Sequence, residues 1–80
     1  MSEGVTADAL IDARGLACPM PLVKARQALM VMSAGQTVAV LATDPEAPRD
    51  FREFCEASGH ELIALTEADG LFRIVLRHQG

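Results

Sequence analysis

Gly15-Leu16-Ala17-Cys18-Pro19-Met20-Pro21 decides how this chain folds. Two prolines two positions apart would break a helix interior, because each removes an amide donor and clashes with the preceding turn. The same pair suits a helix start, where the first amides have no partner within the helix and proline's fixed φ pre-forms the turn. With Cys18 as N-cap, Pro19 takes the first helical position and Pro21 the third. The spacing predicts a helix from Pro19 to Met32, built from strong helix formers and stopped by Ala34-Gly35. Leu22, Val23, Leu29 and Met30 are expected on one apolar stripe, interrupted by Arg26. Upstream, Ala9-Leu10-Ile11-Asp12 reads as a short strand ended by Gly15.

Downstream, Thr37 to Thr43 is the clearest strand, β-branched at intervals and bounded by Gly35 and Asp44-Pro45. A second helix is expected from Ala47 or Pro48 to Ser58. Phe51, Phe54, Cys55 and Ser58 recur at i, i+3, i+4 and i+7, which leaves Arg49, Asp50, Arg52, Glu53 and Glu56 mostly to water as ordinary acidic surface. Gly59 follows as a natural stop. His60–Glu67 and Leu71–Arg77 read as strands around Ala68-Asp69-Gly70, whose Asp-Gly pair is a hairpin signal. Phe72, Ile74 and Leu76 share one face of the last strand, and Arg73 and Arg77 share the other, so one sheet side is packed and the other at least partly wet.

The predicted order is β-α-β-α-β-β. It satisfies an α/β (α+β) two-layer sandwich in which two helices stack on one face of a four-stranded mixed sheet. A helical crossover joins the first two strands in parallel, and the last pair is antiparallel. Residues 1–7 read as a short flexible lead and residues 8–78 as a single domain.

Composition bounds the function. The chain has 80 residues, half of them apolar, which argues for one ordered domain with a small core. Its three aromatics are all Phe, so that core is aliphatic. A formal charge of −4 argues against direct binding to nucleic acid or a membrane surface, both of which call for a basic face. So short a chain leaves little room for a deep pocket and suits a module presenting one reactive element to larger partners. Two cysteines, a start unlike a signal peptide and no long apolar run point to a reducing, cytoplasmic setting with free thiols. A Cys18–Cys55 disulfide stays open at this level, since sequence gives no distance between the two.

A thiol at a helix start sits at the positive end of the macrodipole, which favours the nucleophilic thiolate, and Arg14 is expected to add to the effect. Gly15 lets the chain turn and leaves room for a partner. Against this stands an inert cysteine, since small buried thiols are common. The Cys-Pro-x-Pro spelling tells against the inert reading, because Ser, Thr, Asp or Asn cap better.

Asp12-Ala13-Arg14-Gly15-Leu16-Ala17-Cys18-Pro19-Met20-Pro21, with Asp44-Pro45, Arg49-Asp50-Phe51 and Gly59-His60-Glu61-Leu62, resembles the TusA/SirA family of small sulfur carriers from about Leu10 to Arg77. The resemblance implies that Cys18 accepts sulfane sulfur from a cysteine desulfurase or a rhodanese-like donor, holds it as a persulfide, and relays it to an acceptor protein. In one branch that sulfur reaches 2-thiouridine in tRNA. Other branches serve sulfur oxidation or molybdenum-cofactor maturation. The expected cofactor is none beyond the covalently held sulfur, and the expected role is a relay more than a stand-alone enzyme.

Other residues carry weaker signals. Gly15, Pro19, Pro21, Arg14 and Asp44 are candidate supports of the Cys18 site. Asp44-Pro45 is expected to cap the second helix, with a place on the rim around Cys18 as the alternative. Met20, Lys24 and Arg26 are candidate docking contacts for partner proteins, weighed against a plain solvated helix face. Cys55 is expected in the core, and His60 and His78 are expected to be solvated, with no metal site. Two competing functions remain: a thiol redox enzyme using Cys55 as resolving thiol, and a regulatory interaction module without chemistry at Cys18. A monomer is the expected state.

Overall fold

The computed structural model describes residues 7–80; apart from its last residue, the lead expected over residues 1–7 lies outside them. Six elements follow in the expected order: β1 (Ala9–Ala13), α1 (Met20–Met30), β2 (Thr37–Ala42), α2 (Ala47–Ser58), β3 (Glu61–Ala68) and β4 (Leu71–Arg77). The sheet order is β1-β2-β4-β3, with β1 parallel to β2 and the remaining neighbours antiparallel. The four-stranded mixed sheet with two helices is the α+β fold that the pattern predicts.

The hairpin between β3 and β4 turns on Asp69 and Gly70, both at positive φ (52° and 81°). That is the geometry an Asp-Gly pair supplies at low cost, and it matches the twist of the flanking strands. A register shift between Leu62 and Ala64 puts one extra residue, Ile63, into β3.

The core lies between the helices and one sheet face. Val38, Val40 and Ala42 of β2 meet Ile74 and Leu76 of β4, Ala25 and Leu29 of α1, and Ala47, Phe51 and Cys55 of α2. α1 lies over β1 and β2, and α2 lies over β3 and β4. On the α1 side Ala13 and Ala25 are fully buried beside Leu29, and on the α2 side Phe51 is fully buried. Burying a side chain of that size stabilises the fold by about 2–3 kcal/mol.

Three details differ from expectation. α1 begins at Met20 and ends at Met30, two residues short of Met32, because the Val31 and Met32 amides bond to Ala28 and Leu29 carbonyls in a tightened last turn. Its inward stripe is Pro21, Ala25 and Leu29, at i, i+4 and i+8, rather than one carrying Val23 and Met30. Met30 is 83% exposed, since the small-residue face is the one that fits against the sheet.

Candidate functional site

Parallel pairing of β1 and β2 builds the site. Their last residues, Ala13 and Ala42, are register partners, so the two connections leaving the strands emerge side by side from one sheet edge. One leads into α1 and the other into α2. The connections are laced together: the Gly15 amide donates to Thr43 Oγ1 at 2.9 Å, and the Cys18 amide donates to Asp44 Oδ2 at 2.8 Å. Gly15 makes its turn at a φ of 81°, and a Cβ there would meet nothing within 4 Å, so backbone conformation rather than space favours glycine.

Pro19, not Cys18, is the N-cap of α1, with a φ of −100°. Pro21 consequently falls on the second helical position and is buried. The turn before the helix is closed by the Met20 amide bonding the Ala17 carbonyl at 2.8 Å. Cys18 therefore stands one residue outside the cap, exposed, with its thiol free.

The thiol's neighbour comes from the other helix. Cys18 Sγ donates to Asp50 Oδ2 at 2.9 Å. This bond, first, then partial loss of hydration, then the negative charges of Asp50, Asp44 and Glu46, push the thiol up to about 11. Ionising it would break the bond to the carboxylate and place two negative charges side by side. The expectation of a thiolate favoured by the helix start and by Arg14 is thus corrected. Arg14 is held elsewhere, with Nε and Nη2 each 2.8 Å from the two carboxylate oxygens of Asp12. That pairing, the side-chain bonds foremost, lowers Asp12 to about 2.

Of the sequence candidates, the structure gathers Gly15, Cys18, Pro19, Pro21 and Asp44 at one edge. Met20, at the first position of α1, is 43% exposed beside Cys18. Lys24 and Arg26 are exposed farther along the helix. Arg26 lines a groove of about 280 Å³ that does not include Cys18 and is shared with Leu29, Phe54, Ser58, His60 and His78. Sequence reading left Asp50 to water. The available signal was topological: parallel neighbouring strands bring the first turns of both helices to the same edge.

The histidines are also not as expected. His60 and His78 stack edge-on with ring centroids 4.8 Å apart, and Phe54 lies 5.8 Å from His60. Burial, then the neighbouring His78, lower the His60 value. Cys55 is buried on the inner side of α2, and burial pushes its thiol up. Among the described residues no three His, Cys, Asp or Glu side chains gather as metal ligands, and no helix is long and apolar enough to cross a membrane.

Comparison with known proteins gives a consistent picture. The family model described as sulfurtransferase TusA matches residues 9–78. A protein of Neisseria meningitidis provisionally called a sulfur carrier is 45% identical over 69 residues, 86% of this chain and 93% of that protein. The sulfur carrier protein TusA of Allochromatium vinosum is 40% identical over 70 residues, 88% and 92% of the two chains. The crystal structure of a SirA-like protein from Desulfitobacterium hafniense superposes with a TM-score of 0.78 at 27% identity, covering 90% of this chain and 99% of that one.

Proposed function

The chain belongs to the TusA sulfurtransferase family, and on that premise we propose that it is a sulfur carrier which holds sulfane sulfur as a persulfide on Cys18. The observation that carries the reading is an exposed thiol, Cys18, fixed through its own backbone amide to Asp44 at the edge where both helices begin. No enclosed cavity is required for this chemistry. One reachable sulfur on a rigid support is enough, and proline at the helix start supplies the rigidity.

The transfer is a thiol exchange. The Cys18 sulfur attacks the terminal sulfur of a donor persulfide. A new S–S bond forms on Cys18, the donor's S–S bond breaks, and the electron pair leaves on the donor's cysteine sulfur, which takes up the proton that Cys18 gave away. Nothing is oxidised or reduced overall, so no cofactor beyond the carried sulfur enters. An acceptor thiolate repeats the exchange in the opposite sense.

The donor in this reading is a cysteine desulfurase or a rhodanese-like protein, and the acceptor is a sulfur-relay protein, all in the cytoplasm. Sulfur for tRNA 2-thiouridine is one destination. Sulfur oxidation and molybdenum-cofactor maturation use the same exchange. Met20, Lys24 and Arg26 are exposed on α1, Met20 beside Cys18 and Arg26 at the groove shared with α2, and they are the contacts of that helix for a docking protein. The carrier acts as a monomer, and any effect on tRNA runs through proteins, in keeping with the −4 charge. The redox alternative loses its resolving thiol, because Cys55 is buried in the core.

The test is intact mass after incubation with a desulfurase and cysteine. One added sulfur, about 32 Da, is expected on the wild type and none on Cys18→Ala. No addition to the wild type, or an addition that survives Cys18→Ala, overturns the proposal.

A further inference from the structure

We propose that Asp50, in the first turn of α2, sets the reactivity of Cys18 by holding the unloaded carrier as a neutral thiol. The inference rests on Cys18 being the sulfur-bearing residue. It begins from geometry, the 2.9 Å bond from Sγ to Asp50 Oδ2. Neither partner is loosely placed. The Cys18 amide is bonded to Asp44, and the Asp50 amide donates to the Glu46 carbonyl at 3.0 Å. The contact joins the connection before α1 to the first turn of α2, where the parallel ends of β1 and β2 bring the two together.

The charges that act on the thiol all have one sign: Asp50 from α2, and Asp44 and Glu46 from the connection before it. The cations nearby are engaged. Arg14 forks onto Asp12, and Arg49 pairs with Glu46. Among the described residues, the charges that act on the sulfur are those three carboxylates. Among them Asp50 alone touches Sγ, and its bond is the largest influence on the thiol. A thiol held in this way is a weak nucleophile while the bond is closed, because the thiolate is the attacking form. Sulfur uptake then requires the donor to part Sγ from Asp50, which confines reactivity to the docked complex and spares the carrier in transit.

The experiment is the pH dependence of iodoacetamide alkylation at Cys18, read by peptide mass in the wild type, Asp50→Asn and Asp50→Ser. The wild-type inflection is expected near 11. In both variants it moves down toward the ordinary thiol range. At neutral pH their alkylation speeds up by roughly three- to tenfold, since each unit of lowered pKa raises the thiolate fraction about tenfold while its intrinsic nucleophilicity falls about threefold. A wild-type inflection already in the ordinary range overturns the proposal whatever the variants do. So does an unchanged inflection in either variant that keeps the wild-type circular dichroism. Alkylation asks nothing of a sulfur donor. A carrier that fails to load sulfur but shows the shifted inflection refutes the carrier reading and leaves the Asp50 role standing; the reverse outcome does the opposite.

Discussion

A single residue illustrates how far local rules reach at this site. Cys18 is singled out by its Pro-x-Pro context alone, since that context marks a helix start. Its electrostatics are not legible the same way, because Asp50 is 32 positions away in sequence and reaches the sulfur only through the fold. Arg14 shows the complementary case. Four residues before Cys18 it reads as a helper of the thiolate, yet Asp12, two residues before it, offers both carboxylate oxygens and wins by proximity. The Arg14–Asp12 fork makes a checkable claim. Asp12 is held near 2, below its ordinary 3.8, so the pair stabilises the fold above the ordinary value and loses that contribution as pH falls through about 2. Arg14→Gln should return Asp12 toward 3.8 by NMR titration. Both groups are solvent-exposed, so the accompanying change in stability at neutral pH should be small. An Asp12 value that stays near 2 in the variant would mean that the fork is not its cause.

At the scale of elements, helix and strand formers, turn residues and periodicity together placed all six, and periodicity succeeded best where side chains are large. α2 is the clear case: Phe51, Phe54 and Cys55 mark its inward side, and Phe51 is fully buried. On α1 the method misplaced the face, because the residues that bury best there are Pro21, Ala25 and Leu29, and two of these three carry little hydrophobic signal. Close packing selects small residues, and small residues are quiet in a hydropathy pattern. The two helices should therefore respond differently to substitution. Phe51→Ala leaves a cavity at the centre of the core and should cost about 3–5 kcal/mol by urea unfolding. Met30→Ala, at 83% exposure on the outer side of α1, should change stability by less than about 0.5 kcal/mol. Comparable costs at the two positions would mean that the inward side of α1 has been assigned wrongly.

Across the whole molecule, strand order lay beyond sequence reading. The pattern gives a parallel pair and a hairpin, but not that β4 rather than β3 enters beside β2. The finished sheet has two unlike ends. One end carries the first turns of both helices with Cys18. The opposite end, formed by the start of β2 and the end of β4, is where His78 exchanges backbone bonds of 2.8 Å with Gly35 and Gln36 and stacks on His60. His60 in turn accepts the Gln79 amide at Nδ1, at 3.1 Å. This second end is where acid should act first. The His60 value is lowered in the folded chain, by burial and then by the charge of His78, so the folded state resists a proton that the unfolded state accepts. The resulting stability is complete above the ordinary histidine value of about 6.5 and declines as pH falls below it. Thermal midpoints measured from about pH 7 down to about pH 5 should fall in the wild type, and fall less in His60→Asn, which cannot take up the proton. The Asp12 fork and the Cys18–Asp50 bond titrate outside that window, in stronger acid and in base. Parallel slopes in the wild type and His60→Asn would therefore place the acid sensitivity away from the histidine end.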